Sequence, residues 1–428
     1  MFNQNETQQI IELIKREVVP AIGCTEPMAV AFAVAKATET LGCLPEKMDV
    51  SLSANVLKNA MGVGIPGTDM IGLPIAIALG AIIGKSEYGL EVLKDMTDKA
   101  LQQGKKMIEE KKIHISLCEN APNNLYITAS VSNGRETVKV VVCEEHTKII
   151  LIEKNGKNIF EDINSQTKES DDDATLTLTM RKVYDFAMET PLDDIRFILE
   201  AAKINTTAAE KALNVSYGHS LGRTMTGIYE HQIMGDSMLS KILAYTSSAC
   251  DARMGGAMIP VMTNSGSGNQ GITATLPVVI FARETKKTEE QLIRALMLSS
   301  LTVIYIKQSM GRLSALCGCV VASTGSACGI TYLMGGGYEQ VGYAVKNMVA
   351  NLAGMVCDGA KPSCSLKASS SSATAVFSAM MAMEGKFVKS VEGIIDDDVD
   401  KSIRNMTRIA SSGMQETDKM ILEIMTGK

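Results

Sequence analysis

Residues 254–282 carry no charged side chain across 29 positions, and residues 313–338 carry none across 26. Stretches of that length without a charge belong in the interior of a folded chain. Neither is uniformly apolar, because "TNSGSGNQG" and "CGCVVASTGSACG" bring in more Ser, Thr, Asn and Gly than a core alone requires. They read as helices packed through small residues. Together with "PSCSLKASSSSATA" they are expected to converge on a buried polar pocket lined by backbone amides and hydroxyls. A membrane span is a poor alternative: the longest strongly apolar run, residues 70–84, contains Pro74 and falls short of the roughly 20 residues a bilayer needs.

The rest of the chain changes period. Residues 5–18 place Ile10, Leu13, Ile14 and Val18 on one helical face, and a second helix is expected over 26–41. "MDVSLSANVL" reads as a strand entering the glycine-rich turn "MGVGIPGTD", and 86–112 as an amphipathic helix. From "IHISLCE" to "KIILIEKNGKNIF" the residues alternate, are rich in β-branched types, and are punctuated by "NAPNN", "NGR" and "NGK". The acidic stretch "NSQTKESDDDAT" reads as a linker, and beyond it the pattern is helical. The expected fold class is α+β: a large helical domain (1–45 and 165–428) carrying the site, with a smaller α/β domain (46–164) inserted that contains an antiparallel sheet.

A formal charge of −6 and the absence of Trp argue against nucleic acid as a partner. The N-terminal segment lacks the basic start, apolar centre and small-residue cleavage site of a leader, so a cytoplasmic protein is expected. In that compartment the ten cysteines are thiols or metal ligands rather than disulfides. No membrane partner is expected, and a homo-oligomer is.

Five cysteines, Cys317, Cys319, Cys328, Cys357 and Cys364, fall in one short region, which points to a metal. Cys357 and Cys364 flank "DGAKPS", whose Gly359 and Pro362 fold the two thiols toward each other. The four histidines, His114, His146, His219 and His231, form no ligand spacing. Zinc would therefore need four cysteines, whereas all-thiolate ligation also suits iron–sulfur, and spacing leaves the two open. Cys43, Cys118 and Cys143 read as structural. Cys24, in "AIGCTEPMAV", sits just ahead of a helix start, a placement that lowers a thiol's pKa and makes it a candidate base or nucleophile. "TNSGSGNQG" supplies Asn264, Ser265, Ser267, Asn269 and Gln270 as a cradle for an oxyanion or carboxylate, and "LKNAMGVGIPGTD" adds Lys58 and Asn59.

The stretches "VVPAIGCTEPMAVAFAVAKA", "VLKNAMGVGIPGT", "TNSGSGNQGI", "CGCVVASTGSACGI" and "GMVCDGAKPSCSLK" resemble, in order, the hallmark segments of the L-cysteine desulfidase family. That family is related to the catalytic domain of iron–sulfur-dependent L-serine dehydratases. The resemblance implies a [4Fe-4S] cluster held by three cysteines, matching Cys317, Cys357 and Cys364, with Cys24 as proton acceptor. Cys319 and Cys328 are neighbours that the family pattern does not require. It also implies an amino-acid substrate, L-cysteine, eliminated to hydrogen sulfide, pyruvate and ammonia. L-Serine dehydration is the nearest alternative. A cluster-based redox or cysteine sensor is another, and a pyridoxal-phosphate lyase using Lys367 is a further one.

Overall fold

A computed structural model of the protein describes residues 3–162, 176–227, 232–311 and 314–427. The acidic stretch read as a linker lies entirely outside them, as does His231.

Helix α1 (Gln4–Glu17) starts where the Asn3 side chain accepts from the N–H of Glu6, and it buries Ile10 and Ile14 in the main helical core. The chain then forms β1 (Pro20–Ile22) and α2 (Thr25–Leu41). β2 (Lys47–Leu52) ends at Leu52, and "SANVLKNA" turns into helix α3 (Ala54–Ala60) rather than continuing as strand. After α4 (Leu73–Ile83) the expected helix over 86–112 forms only as α5 (Asp98–Glu109). Gly89, at φ 54, breaks the preceding 3-10 turns, and Thr97 caps the new start by accepting from the N–H of Ala100.

Strands β3 (Ile113–Leu117), β4 (Tyr126–Ser132), β5 (Thr137–Cys143), β6 (Ile149–Lys154) and β7 (Lys157–Glu161) join β2 in one sheet. Its order is β3-β2-β4-β5-β6-β7. The sheet is mixed, since β2 pairs parallel with β3 and every other neighbour is antiparallel. The parallel pair follows from the three helices that carry the chain across between β2 and β3. Alternation holds along β4, where Ile127, Ala129 and Val131 point into a core shared with α2 and α4. Helix α2 thus buries Val30, Phe32 and Val34 against the sheet, while α1 packs among the helices.

The helical part comprises α6 (Met180–Glu189), α7 (Leu199–Leu213), α8 (Met238–Met254), α9 (Gly268–Glu284), α10 (Glu289–Met310), α11 (Gly318–Leu333), α12 (Tyr338–Leu352), α13 (Cys364–Met383), α14 (Val399–Arg408) and α15 (Gln415–Thr426), with short turns between. Helices α10 and α11 form its centre. A Cβ on Gly325 would stand 2.4 Å from the Ser299 carbonyl oxygen, so the two helices can approach this closely only with glycine there.

The small polar residues of α11 have a use other than lining a pocket. Ser323 and Thr324 donate to the Val320 carbonyl, and Thr331 donates to that of Ala327. These buried hydroxyls are satisfied within their own helix. Of the two uncharged segments only residues within 265–270 and 314–319 reach the cavity described next. A two-stranded ribbon, β1 against β8 (Pro260–Met262), brings the start of α2 beside the start of α9. Among the described residues no helix is long and apolar enough to cross a membrane.

Candidate functional site

Four helices begin at one cavity: α2 at Cys24, α9 at Ser267, α11 at Cys317 and α13 at Ser363–Cys364. None of these four starts is closed by a side-chain cap. Of the other helices α1, α5, α6, α8, α10 and α14 are capped by Asn3, Thr97, Thr179, Ser237, Thr288 and Asp398, while α3, α4, α7, α12 and α15 also start without a side-chain cap. An uncapped first turn leaves backbone N–H groups to be satisfied by something else, and the positive end of the dipole favours an anion. The cavity is therefore arranged to receive negative charge.

Its wall carries Cys24, Asn59, Ser265, Ser267, Asn269, Gln270, Cys317, Cys357 and Cys364. These nine residues, all singled out from the sequence, thus meet in one place. Asn264 stands apart: its amide donates to the Ser300 carbonyl at 3.1 Å, and its oxygen accepts from the Ser265 hydroxyl at 2.8 Å. It holds the turn through paired backbone bonds with Ser267. Ser265 occupies the left-handed region at φ 49, the strained backbone that accompanies this tight reversal.

Cys317, Cys357 and Cys364 come from two segments stitched together by backbone. The Cys317 N–H donates to the Met355 carbonyl at 2.9 Å, and the Cys357 N–H to that of Ala315 at 2.6 Å. Between Cys357 and Cys364 the loop turns at Gly359, φ 91, where a Cβ would lie 2.3 Å from the Lys58 carbonyl oxygen. Gly359→Ala is thus strained twice, by conformation and by contact. It should cost about 1–3 kcal/mol from the φ alone. A lowered melting temperature together with poorer iron retention after reconstitution is the expected result.

The three thiols are poor thiolates as they stand. The hydrogen bond its thiol gives to Cys319, then burial, raises Cys317. Burial, then the neighbouring cysteines, raises Cys357 and takes Cys364 to about 11. Such a set becomes anionic when a soft cation compensates it, and its donors suit iron–sulfur. Among the described residues no three His, Cys, Asp or Glu side chains converge on a single ion. A multi-iron cluster makes no such demand, because each cysteine ligates a different iron. Lys58, buried, donates to the Cys357 carbonyl and pairs with Asp418 of α15. Lys367 donates to the Val356 carbonyl and pairs with Asp358. Neither lysine lines the cavity, so Lys367 is not set to hold an aldehyde cofactor there.

Compared with known proteins, the chain matches the family model described as serine dehydratase alpha chain over residues 87–423. The chain belongs to the serine dehydratase alpha chain family. That family is associated with iron–sulfur clusters and lyase chemistry. The matched region contains all three candidate ligands and stops short of Cys24. The chain is also 65% identical to a UPF0597 protein of Bacteroides thetaiotaomicron over 99% of both chains. It is 52% identical to a UPF0597 protein of Porphyromonas gingivalis over 98% of both.

Cys24 departs from the expectation of an acidified thiol. It is the N-cap of α2 and 1% exposed, and its Sγ donates to Glu26 Oε2 at 3.0 Å. Burial, then the Glu26 carboxylate, pushes the thiol well above its ordinary value. A helix terminus contributes up to about 2 kcal/mol, whereas full burial shifts a group by about 3–5 units. Burial wins.

The sequence reading missed Glu26, His146, Arg253 and Lys307, all of which line the cavity. Arg253 of α8, 2% exposed, donates from Nε to the Gly23 carbonyl at 3.0 Å. His146 arrives from the turn between β5 and β6, so the sheet contributes to the site as well. Glu26 lies in "CTEP", two residues after the thiol.

Proposed function

We propose that this protein is an L-cysteine desulfidase, converting L-cysteine and water to hydrogen sulfide, pyruvate and ammonia by α,β-elimination. Cys317, Cys357 and Cys364 would hold a [4Fe-4S] cluster. When bound, such a cluster supplies a Lewis-acidic iron with an open position, which makes the β-sulfur of the substrate a better leaving group. The observation that carries the reading is the meeting of these three thiols with the buried Cys24 at one cavity, at four uncapped helix starts.

The chain's own groups divide the remaining work. First-turn amides of α9 and the Arg253 guanidinium favour the substrate carboxylate and the charge that grows on it as the α-proton leaves. The side-chain oxygens of Asn59, Asn269 and Gln270 are buried without a hydrogen-bond partner, and all three residues line the cavity. They are acceptors suited to an ammonium group. Cys24 is the proton acceptor in this reading.

A second reading, L-serine dehydration, is favoured by the name of the matching family. One experiment separates them. The protein is reconstituted anaerobically with iron and sulfide, and pyruvate release is followed from L-cysteine and L-serine, with sulfide measured in parallel. The desulfidase reading expects a kcat/KM for cysteine at least about tenfold above that for serine, a difference of about 1.4 kcal/mol in transition-state binding. The reverse ratio assigns the dehydratase, and no pyruvate from either substrate refutes both.

A further inference from the structure

Glu26 has not been given a role, yet it is the group that Cys24 touches. It is the second residue of α2, 7% exposed, and lines the cavity. Its Oε2 accepts from Cys24 Sγ at 3.0 Å, and its Oε1 accepts from Asn59 Nδ2 at 3.1 Å. The Thr25 hydroxyl lies 3.0 Å from Oε2 and 2.9 Å from the Gly266 carbonyl, tying this corner to the turn before α9. Burial alone would favour the neutral acid. The charge of His146, the Cys24 hydrogen bond and Arg253 outweigh it and hold the carboxyl below its ordinary range. The resting corner thus has its proton on sulfur and its charge on Glu26. A neutral thiol cannot accept a second proton unless it gives up the first.

We propose that Glu26 is the proton partner of Cys24: as Sγ takes the Cα proton of the substrate, the thiol's own proton passes along the 3.0 Å hydrogen bond to Glu26 Oε2. The inference rests on the elimination reading above. The Cα–H bond breaks and its proton forms a new S–H bond, while the old S–H proton makes Glu26 a carboxylic acid. The electron pair left at Cα becomes the Cα–Cβ double bond as HS⁻ departs from Cβ. Glu26 then returns its proton to HS⁻, which leaves as hydrogen sulfide. Asn59 keeps the carboxylate turned toward Cys24, and Arg253 and His146 face it from α8 and from the β5–β6 turn.

The test uses Glu26→Gln and Glu26→Asp in the reconstituted holoenzyme. Glu26→Gln preserves shape and accepts no proton. It should keep its iron and its KM within about threefold, and lose about 10²–10⁴-fold in kcat. Exchange of the substrate α-hydrogen with solvent deuterium should fall in step, and Glu26→Asp should recover part of both. A bracing role would instead move KM, iron content or melting temperature.

A second readout does not depend on turnover. With the negative charge gone from beside the thiol, iodoacetamide should label Cys24 faster at fixed pH, as mapped by mass spectrometry. The gain is about tenfold for each unit the thiol falls. Should Glu26→Gln fail to fold, Glu26→Asp carries the test, with kcat lowered and labelling near wild type. Wild-type kcat in Glu26→Gln, a loss confined to iron or KM, or unchanged labelling of Cys24 overturns the proposal. A wild-type holoenzyme that forms no pyruvate from either amino acid refutes the elimination reading instead, and the labelling comparison still decides whether the two side chains share a proton.

Discussion

Cys357→Ala and Cys364→Ala are each expected to abolish both iron binding and elimination, and Cys317→Ala to do the same while Cys319→Ala does not. All three candidate ligands sit on one wall, and backbone bonds between residues 315–317 and 355–357 fix two of them relative to each other. Cys364 is placed by the Gly359 turn and by the start of α13, where its Sγ approaches the Gly359 carbonyl at 3.6 Å. Removing one of three thiolates leaves two ligands and a cluster open to solvent. Lewis-acid assistance is worth several kcal/mol, so activity should fall by at least about 10³-fold. Cys319 also lines the cavity and raises Cys317 through a hydrogen bond, so its loss should alter the cluster's surroundings without removing it. Iron and acid-labile sulfide per chain, with the visible absorption of the reconstituted variants, is the measurement. A Cys319→Ala protein that loses its iron beside a Cys317→Ala protein that keeps it would exchange the two roles.

Lys58 belongs to the same wall from behind. Its buried ammonium joins Asp418 on the last helix to the carbonyl of Cys357. Lys58→Met, close in size, removes this link and leaves Asp418 unpaired. The expected outcome is a protein about 1–3 kcal/mol less stable, with faster loss of iron in air, read by melting temperature and by the decay of cluster absorption.

The parts of this molecule legible in the sequence were those written in local patterns. Alternation in "NLYITASVS" became β4 with Ile127, Ala129 and Val131 facing the core, and the helical stripe of Ile10 and Ile14 became α1. The turn residues of "CDGAKPSC" did place their two thiols on a common cavity. What stayed hidden depends on contacts made across the chain. Arg253 reaches Gly23 across 230 positions, and Thr25 reaches Gly266 across 241, through a ribbon of only three residue pairs, too short to announce itself. The parallel pairing of β2 and β3 was hidden for the same reason, because alternation marks a strand and says nothing of its partner's direction. The serines of α11 misled in the opposite sense. Their number pointed to a pocket, yet most are satisfied by carbonyls one turn back, as helices packed through small residues allow.

The charge state of Cys24 is the case where a local rule lost to its surroundings, and the expected behaviour of Cys24→Ala follows from that. The variant should bind its cluster, because no ligand in the proposed set is touched, and should bind cysteine with KM little changed. It should lose elimination by about 10²–10⁴-fold, the usual forfeit when a positioned proton acceptor is removed. Its α-hydrogen exchange should vanish as well, which separates a missing acceptor from a slow departure of sulfide. Cys24→Ser sharpens the point. A hydroxyl can keep a hydrogen bond to Glu26 but is far less acidic than a thiol, so serine should restore geometry without restoring rate. The site already holds its thiol proton tightly, with burial and Glu26 both acting against ionisation. An acceptor with a still higher pKa would need more help than a single carboxylate at 3.0 Å provides. Two outcomes would overturn this account: a Cys24→Ala protein that has lost its iron, which would make Cys24 a fourth ligand, and a Cys24→Ser protein as fast as the wild type, which would leave the thiol with no part in moving the proton.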